Sequence, residues 1–251
     1  MTNATLHVSI VTAVYNSAAT VGETLSSVRS QRRAVVEHIV VDGGSTDGTA
    51  DLLRVAQGGL ARLIVEPDRG IYDALNKGFA LATGDVVGLL HADDVYANEA
   101  VLAHVADAFS DPAVDAVYGD LQYVSKDNPE RVVREWKSGE FERRRLRWGW
   151  MPPHPTVFLR RRVLERLGPF DLRYRIAADY EHMLRLLSDE SLRIVYLPEV
   201  LVRMRVGGVS NRSLRNMLLK SREDLRAMRA YRIGGLGTLL AKNLTKLPQF
   251  F

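Results

Sequence analysis

The stretch "EHIVVDGGSTDGTADLLRVAQ" (37–57) contains one complete structural unit, and the rest of the first half repeats it. The β-branched run "EHIVVD" (37–42) reads as a buried strand. Asp42 and the two glycines after it punctuate a turn, and "GTADLLRVAQ" (48–57) reads as a helix. Upstream, "HVSIVTAV" (7–14) is β-rich, and "TVGETLSSVRSQ" (20–31) has helical spacing through Val21, Leu25 and Val28. Downstream come the strand "ARLIVE" (61–66), the helix "IYDALNKGFALA" (71–82) and the strand "DVVGLL" (85–90). A helix near 98–109 and the strand "VDAVYG" (114–119) follow. Such alternation predicts an α/β domain, a mostly parallel sheet with helices on both faces.

Beyond about residue 120 the pattern changes. A hairpin (121–136) leads into the basic, aromatic "FERRRLRWGWMPPHP" (141–155). A strand (156–159), a helix (161–167), a helix at "ADYEHMLRLL" (178–187) and strands near 193–197 and 200–206 follow. The expected organisation is one domain over 1–210 (residues 1–119 one half, 120–210 a mixed-sheet half) and a helical tail over 211–251. The length of 251 residues and a hydrophobic content of 46% suit one large domain with a real core. The absence of cysteine excludes a disulfide framework, thiolate catalysis and cysteine-bound zinc. The N-terminus shows no secretory signal pattern, and no stretch approaches the roughly 20 apolar residues of a membrane span.

Ligands of parallel sheets bind beyond the carboxyl ends of the strands, and several polar residues fall there. Asn16 and Asp42 each follow a strand. In "LLHADDVY" (89–96) the adjacent Asp93 and Asp94 end another, with His91 just before them. Two neighbouring carboxylates repel, so they either stand in water as a turn or hold a cation. Several familiar motifs fail. No phosphate loop is present, and "TAVYNSAATVG" lacks the glycines of a dinucleotide fingerprint. "GGSTDG" carries Asp47 where a nucleophile elbow needs Gly. "DGGSTDGTADLL" has Leu53 where a calcium loop needs Glu.

Together, "SIVTAVYN", "VVDGGSTDGT", "DRGIYDALNKGFALATGD", "LLHADD" and "IAADYEHMLRLL" resemble the family 2 glycosyltransferases of GT-A fold, over about residues 7–206. The set "GIYDALNKG", "HPTVF" and "ADY" resembles the members that build bacterial cell-surface polysaccharides and glycolipids. The resemblance implies inverting transfer from a nucleotide-diphosphate sugar, such as a UDP-sugar, to a hydroxyl of a glycan or lipid-linked acceptor. A divalent metal, Mg²⁺ or Mn²⁺, assists. Residues 1–119 would then bind the nucleotide sugar and 120–210 the acceptor; no nucleic acid partner is implied. Other readings are a catalytically inactive nucleotide-sugar binding module and a nucleotidyltransferase, though the latter lacks a phosphate loop after its first strand.

On this reading Asp93 and Asp94 are the metal carboxylates; Asp93, Asp94 or both contact the ion, with the other on the ribose. The family's Asp-x-Asp begins here with His91, which either hydrogen-bonds the nucleotide or packs. Asp42 either accepts base N–H groups or only forms its turn. Thr12, Val14 and Asn16 line base and ribose. Arg69, Tyr72, Asp73 and Lys77 surround the next helix, with Arg69 or Lys77 on phosphate, or Lys77 on a solvated face. Asp179 matches the family's general base, or is a helix N-cap. Glu181 points away from the Tyr180–Met183–Leu184–Leu187 stripe, toward Arg185. His154 lies near diphosphate or acceptor, or is packed between prolines.

The tail carries nine Lys/Arg against two Asp/Glu, a formal +7 that exceeds the +4 of the whole chain. Leu214, Met217, Leu218, Leu225 and Met228 recur at helical spacing, interleaved with Arg215, Arg222, Arg226 and Arg229. "TLLAKNLTKLPQFF" (238–251) adds leucines and a terminal Phe pair. Either the helix docks on the core, or it lies on anionic lipid. The second reading makes the protein cytoplasmic and peripheral on the inner membrane face.

Overall fold

The computed structural model describes residues 6–207 and 214–244. The first half alternates as expected: β1 (His7–Val14), α1 (Val21–Arg29), β2 (Val35–Asp42), α2 (Thr49–Ala56), β3 (Arg62–Val65), α3 (Ile71–Leu81), β4 (Val86–Leu89), β5 (Val95–Tyr96) and α4 (Val101–Ala108). Next come β6 (Ala116–Val124), β7 (Val132–Trp136), β8 (Phe158–Arg160), α5 (Arg161–Leu167), α6 (Ala178–Ser188) and β9 (Ile194–Arg205). Helices α7 (Leu214–Ala230) and α8 (Leu236–Leu244) form the tail.

The strands make one sheet in the order β3-β2-β1-β4-β8-β6-β9-β5, with β7 also paired to β6. β3, β2, β1 and β4 are parallel, whereas β8 runs antiparallel to β4 and to β6. β6 runs unbroken through residues 119 and 120, so both halves of the chain share this sheet. The two strands expected near 193–197 and 200–206 are the single strand β9. Its register against β6 jumps from Tyr118↔Tyr196 to Asp120↔Val200. The extra residues contain Pro198, which a strand tolerates at a bulge and which reads in sequence as a break.

Alternation along β1 divides the core. Val8 and Ile10 pack with Val28 of α1 and with Val101, Leu102 and Val105 of α4. Val11 and Ala13 face the other way, onto Ala74 and Leu75 of α3, Leu184 of α6, and Ala227 and Met228 of α7. The tail helix therefore belongs to the core. α3 approaches β1 closely because residue 78 is glycine: a Cβ there would lie 2.3 Å from Val11 Cγ1. Gly→Ala inside a helix ordinarily stabilises by up to about 1 kcal/mol. Here the fully buried Val11 cannot rotate away, so Gly78→Ala should lower stability by about 1–3 kcal/mol. Urea unfolding will show it; an unchanged or raised midpoint would mean that α3 can shift.

Two imidazoles lie inside this frame. His38 on β2 shares a 3.0 Å hydrogen bond with Thr12 Oγ1, and burial pushes its pKa down to about 4. Burial likewise pushes His182 of α6 down to about 3. An unfolded histidine binds its proton near pH 6.5. Between there and the folded value the unfolded chain holds more protons, so stability is lost as pH falls. For His38 the loss from pH 7 to 5 is about 2 kcal/mol. His38→Gln should lose less stability than wild type over that interval, by about this amount, in paired urea titrations. Equal pH slopes would contradict it.

Candidate active site

The loops after β1 and β2 are laced together at the rim. Asp42 is fully buried. Its Oδ1 accepts the backbone N–H of Gly44 (2.9 Å) and Ser45 (2.8 Å), and its Oδ2 accepts the Ser45 hydroxyl at 2.6 Å. The turn-forming role is thus realised, and only the remaining lone-pair capacity of Oδ2 is open to a base. Asn16 sits at φ 48°; it donates its backbone N–H to Ser45 Oγ and accepts Thr46 N–H on Oδ1. Thr12 and Val14, expected to line base and ribose, turn their side chains inward. Thr12 is fully buried against His38, and Val14 packs with Val21, Val40, Leu53 and Ala92. Both lie within β1, Val14 as its last residue, where each face of the sheet is already covered.

At the start of α3, Asp73 is the organiser. Its carboxylate accepts the Arg69 backbone N–H at 3.0 Å and pairs with the Arg69 guanidinium at 3.0 Å, which holds its pKa down. Lys77 pairs with Glu66 at 2.8 Å and donates to the Pro67 carbonyl. Both cations stand on the rim with carboxylate partners.

Asp93 and Asp94 part company. Asp93 is exposed, whereas Asp94 is 1% exposed, its Oδ1 accepting the Arg205 backbone N–H at 3.1 Å. Burial first, and the Asp93 charge second, raise the Asp94 pKa well above the carboxylate range. The two neighbouring carboxylates thus sit in opposite surroundings, one in water and one in the interior. Asp94, one of the two carboxylates open to metal or ribose in the sequence, lies buried against β9. Arg205 fixes the turn from below, donating to the Asp93 carbonyl at 2.5 Å and the Lys126 carbonyl at 3.2 Å, and pairing with Glu23 at 2.6 Å.

Among the described residues no three metal-ligating side chains cluster. Exposed Asp93 fits a hard cation that takes one protein carboxylate and completes its shell with phosphate oxygens and water. It does not fit a metal held in a preformed cage.

Four further candidate groups are linked to one another through His91 and Asp179. His91 is half-buried, with Nδ1 unpartnered. Burial lowers its pKa, while the charges of Asp93 and Asp179 act on it in the opposite sense. His154 rests edge-on against Phe170, ring centroids 5.7 Å apart. Burial pushes it down to about 4, against the pull of Asp179. Asp179 stands half-buried in the first turn of α6. Its Oδ1 accepts the Tyr180 N–H at 2.7 Å and meets the Tyr72 hydroxyl at 3.1 Å. Burial, then the Asp179 charge, keep Tyr72 protonated far above the ordinary phenol range; the same hydroxyl lies 2.7 Å from the Ile176 carbonyl. Tyr72, His91, Asp93, His154 and Asp179 thus converge from α3, the β4–β5 turn, the segment before β8 and α6. Glu181 pairs with Arg185 at 2.6 Å, as its i,i+4 spacing implies. It is 4% exposed and accepts the Tyr231 hydroxyl at 2.5 Å.

Sequence reasoning missed Arg205 and Glu223. Glu223 on α7 accepts three backbone N–H groups just before α6. One signal was available: Glu223 and Asp224 are the sole acids of a tail of formal charge +7.

The family model "Glycosyl transferase family 2" matches residues 9–168. A "PGL/p-HBAD biosynthesis glycosyltransferase" of Mycobacterium tuberculosis is 35% identical over 217 residues, covering 84% of this chain and 82% of its own length. An uncharacterized glycosyltransferase of the same species is 35% identical over 181 residues, covering 71% and 68%. Staphylococcus aureus TarS superposes with a TM-score of 0.69 at 20% identity over 91% of this chain, which spans only 39% of TarS. The mannosyltransferase PcManGT from Pyrobaculum calidifontis, solved with GDP-Man and Mn²⁺, superposes with a TM-score of 0.65 at 24% identity, covering 96% and 70%. The mixed sheet, the rim it presents and these likenesses agree: the chain belongs to glycosyl transferase family 2 and is a glycosyltransferase of GT-A fold.

Proposed function

We propose that this glycosyltransferase moves a sugar, with inversion, from a nucleotide-diphosphate sugar to a hydroxyl of a lipid-linked or glycan acceptor of the cell surface. The observation that carries the reading is Asp179, half-buried in the first turn of α6 with its Oδ1 held by the Tyr180 N–H and the Tyr72 hydroxyl. The donor class is supported by structural neighbours solved with UDP, with UDP-GlcNAc, and with GDP-Man and Mn²⁺. The acceptor class is supported by the glycolipid biosynthesis named for the mycobacterial relative.

Asp93 would hold Mg²⁺ or Mn²⁺ together with the donor diphosphate. The ion supplies Lewis-acid stabilisation of the departing nucleoside diphosphate. Asp179 takes the acceptor proton on Oδ2, the oxygen left open when Tyr180 N–H and Tyr72 hold Oδ1. The acceptor oxygen bonds to the anomeric carbon from one face as the bond to diphosphate breaks on the other. Tyr72 has one proton to give. Directed at Asp179 Oδ1 it steadies the ionised carboxylate; directed at Ile176 it leaves that oxygen to the Tyr180 N–H. His154, neutral at pH 7, is placed as an uncharged hydrogen-bonding group beside the reacting atoms. A panel of UDP-, GDP- and dTDP-sugars, scored for Mn²⁺-stimulated hydrolysis and then for transfer to lipid-linked acceptors, tests the assignment. Full activity in EDTA would remove the metal, and no turnover with any donor would remove the catalytic reading.

The tail supports peripheral membrane binding in a modified form. The expected apolar stripe is divided: Met228 is fully buried and Leu225 half-buried, while Met217 and Leu218 are 50% and 65% exposed. The outer face of α7 instead reads Arg215, Leu218, Arg222, Arg226, Arg229, with Leu236 and Leu240 of α8 also exposed. The Leu214 side chain and the terminal Phe pair lie outside the described residues. Among those described, no helix is long and apolar enough to cross a membrane. Each basic residue near anionic lipid contributes about 1 kcal/mol. Changing Arg215, Arg222 and Arg229 together to Gln should therefore weaken co-sedimentation with phosphatidylglycerol vesicles by about 100-fold. Donor hydrolysis should be unaffected. Equal partitioning of variant and wild type would leave the tail a docked helix only.

A further inference from the structure

We infer that Glu223, on the buried face of the tail helix α7, is a positioning residue for Asp179; this rests on the reading of Asp179 as base. Glu223 is 6% exposed. Its Oε1 accepts the backbone N–H of Arg175, and its Oε2 those of Ile176 and Ala177, all at 2.9 Å. These N–H groups lead directly into α6. The residue at the N-cap, Ala177, has no side chain with which to cap the helix. A carboxylate from 46 residues farther along the chain takes that place, where the positive end of the helix dipole favours it.

The clamped segment leads into the base and carries a partner of the tyrosine that holds it. The Ile176 carbonyl meets the Tyr72 hydroxyl at 2.7 Å, and Asp179 begins the first turn two residues after Ala177. A shift of the 175–177 backbone therefore moves the Tyr72 partner and Asp179 together. Two further contacts on the same helical faces keep the clamp in register. Asp224 is 2% exposed and pairs with Lys242 of α8 at 2.7 Å and with Lys220 at 3.0 Å. The Lys242 ammonium in turn lies 3.1 Å from the Tyr180 ring centroid, on the residue next to Asp179. The basic tail thus presents arginines outward and its two acids inward, Glu223 toward the segment that leads into α6 and Asp224 toward Lys220 and Lys242.

Glu223→Gln in the full chain tests this. Glutamine keeps the volume and one acceptor oxygen but turns an N–H₂ group toward backbone donors. The kcat should fall by about 10- to 100-fold, the scale of an ångström-level misplacement, with the donor KM unchanged. Amides 175–177 should exchange with solvent faster while β1 and α7 stay protected. Because Glu223 acts through Asp179, the double variant Glu223→Gln/Asp179→Asn should be no slower than Asp179→Asn alone. Wild-type kcat in Glu223→Gln, additive losses in the double variant, or protection lost throughout α7 and α8 would each overturn the role. Near-normal transfer by Asp179→Asn would overturn the base assignment instead. The amide exchange of Glu223→Gln tells the two failures apart, since it does not depend on turnover.

Discussion

Asp179→Asn should lower turnover by about 100-fold or more, the range for removing a general base, while the donor binds as before. Asparagine retains an Oδ1, so the 2.7 Å bond from Tyr180 N–H and the contact with Tyr72 can persist and the first turn of α6 need not move. What is lost is the lone pair of Oδ2, replaced by an amide nitrogen that cannot take the acceptor proton. The loss should therefore appear in kcat and not in nucleotide-sugar affinity measured calorimetrically. Near-normal transfer would send the role elsewhere. Glu181, the nearest acid in sequence, is no natural successor: it is buried and committed to Arg185 and Tyr231. An acid of the acceptor itself, or activation of the acceptor hydroxyl by His154, would then have to be tested.

The first half of the fold was legible because local signals agreed. Continuous apolar, β-branched runs and helical spacing alternate at short intervals from residue 7 to about 109, and the structure follows them apart from the short β5. The second half was less so, since a bulge at Pro198 reads as a break, while pairing of β6 with β7, β8 and β9 is decided by contacts distant in sequence. Candidate residues beyond strand ends were readable from their position. Which way a side chain points was not. Thr12 and Val14 have the sequence neighbourhood of rim residues, yet their direction follows from which sheet face each occupies and what covers it. Glu223 was illegible for a different reason. Its partners are backbone amides 46 to 48 residues away, and an N–H donor carries no residue-type signature.

The same distinction between position and direction governs the last expected result, a contrast between neighbours. Asp93→Asn should reduce metal-stimulated transfer by about 100- to 1,000-fold, the range for removing a group that stabilises developing negative charge. Donor binding should lose its metal dependence. Asp94→Asn should stay close to wild type in both. Asparagine at 94 can still accept the Arg205 N–H through Oδ1. It also removes a carboxyl whose ionisation is opposed by burial and by Asp93. Asp93 has no such commitment: its carboxylate is exposed, and its backbone carbonyl is the group that Arg205 holds. A turn with one exposed carboxylate suits an ion that completes its shell with diphosphate oxygens and water and is released with them at every cycle. Mn²⁺ titration of donor binding in the two variants separates them. Loss of metal dependence in Asp94→Asn with its retention in Asp93→Asn would reverse the assignment, and would require the β4–β5 turn to rotate on binding the donor.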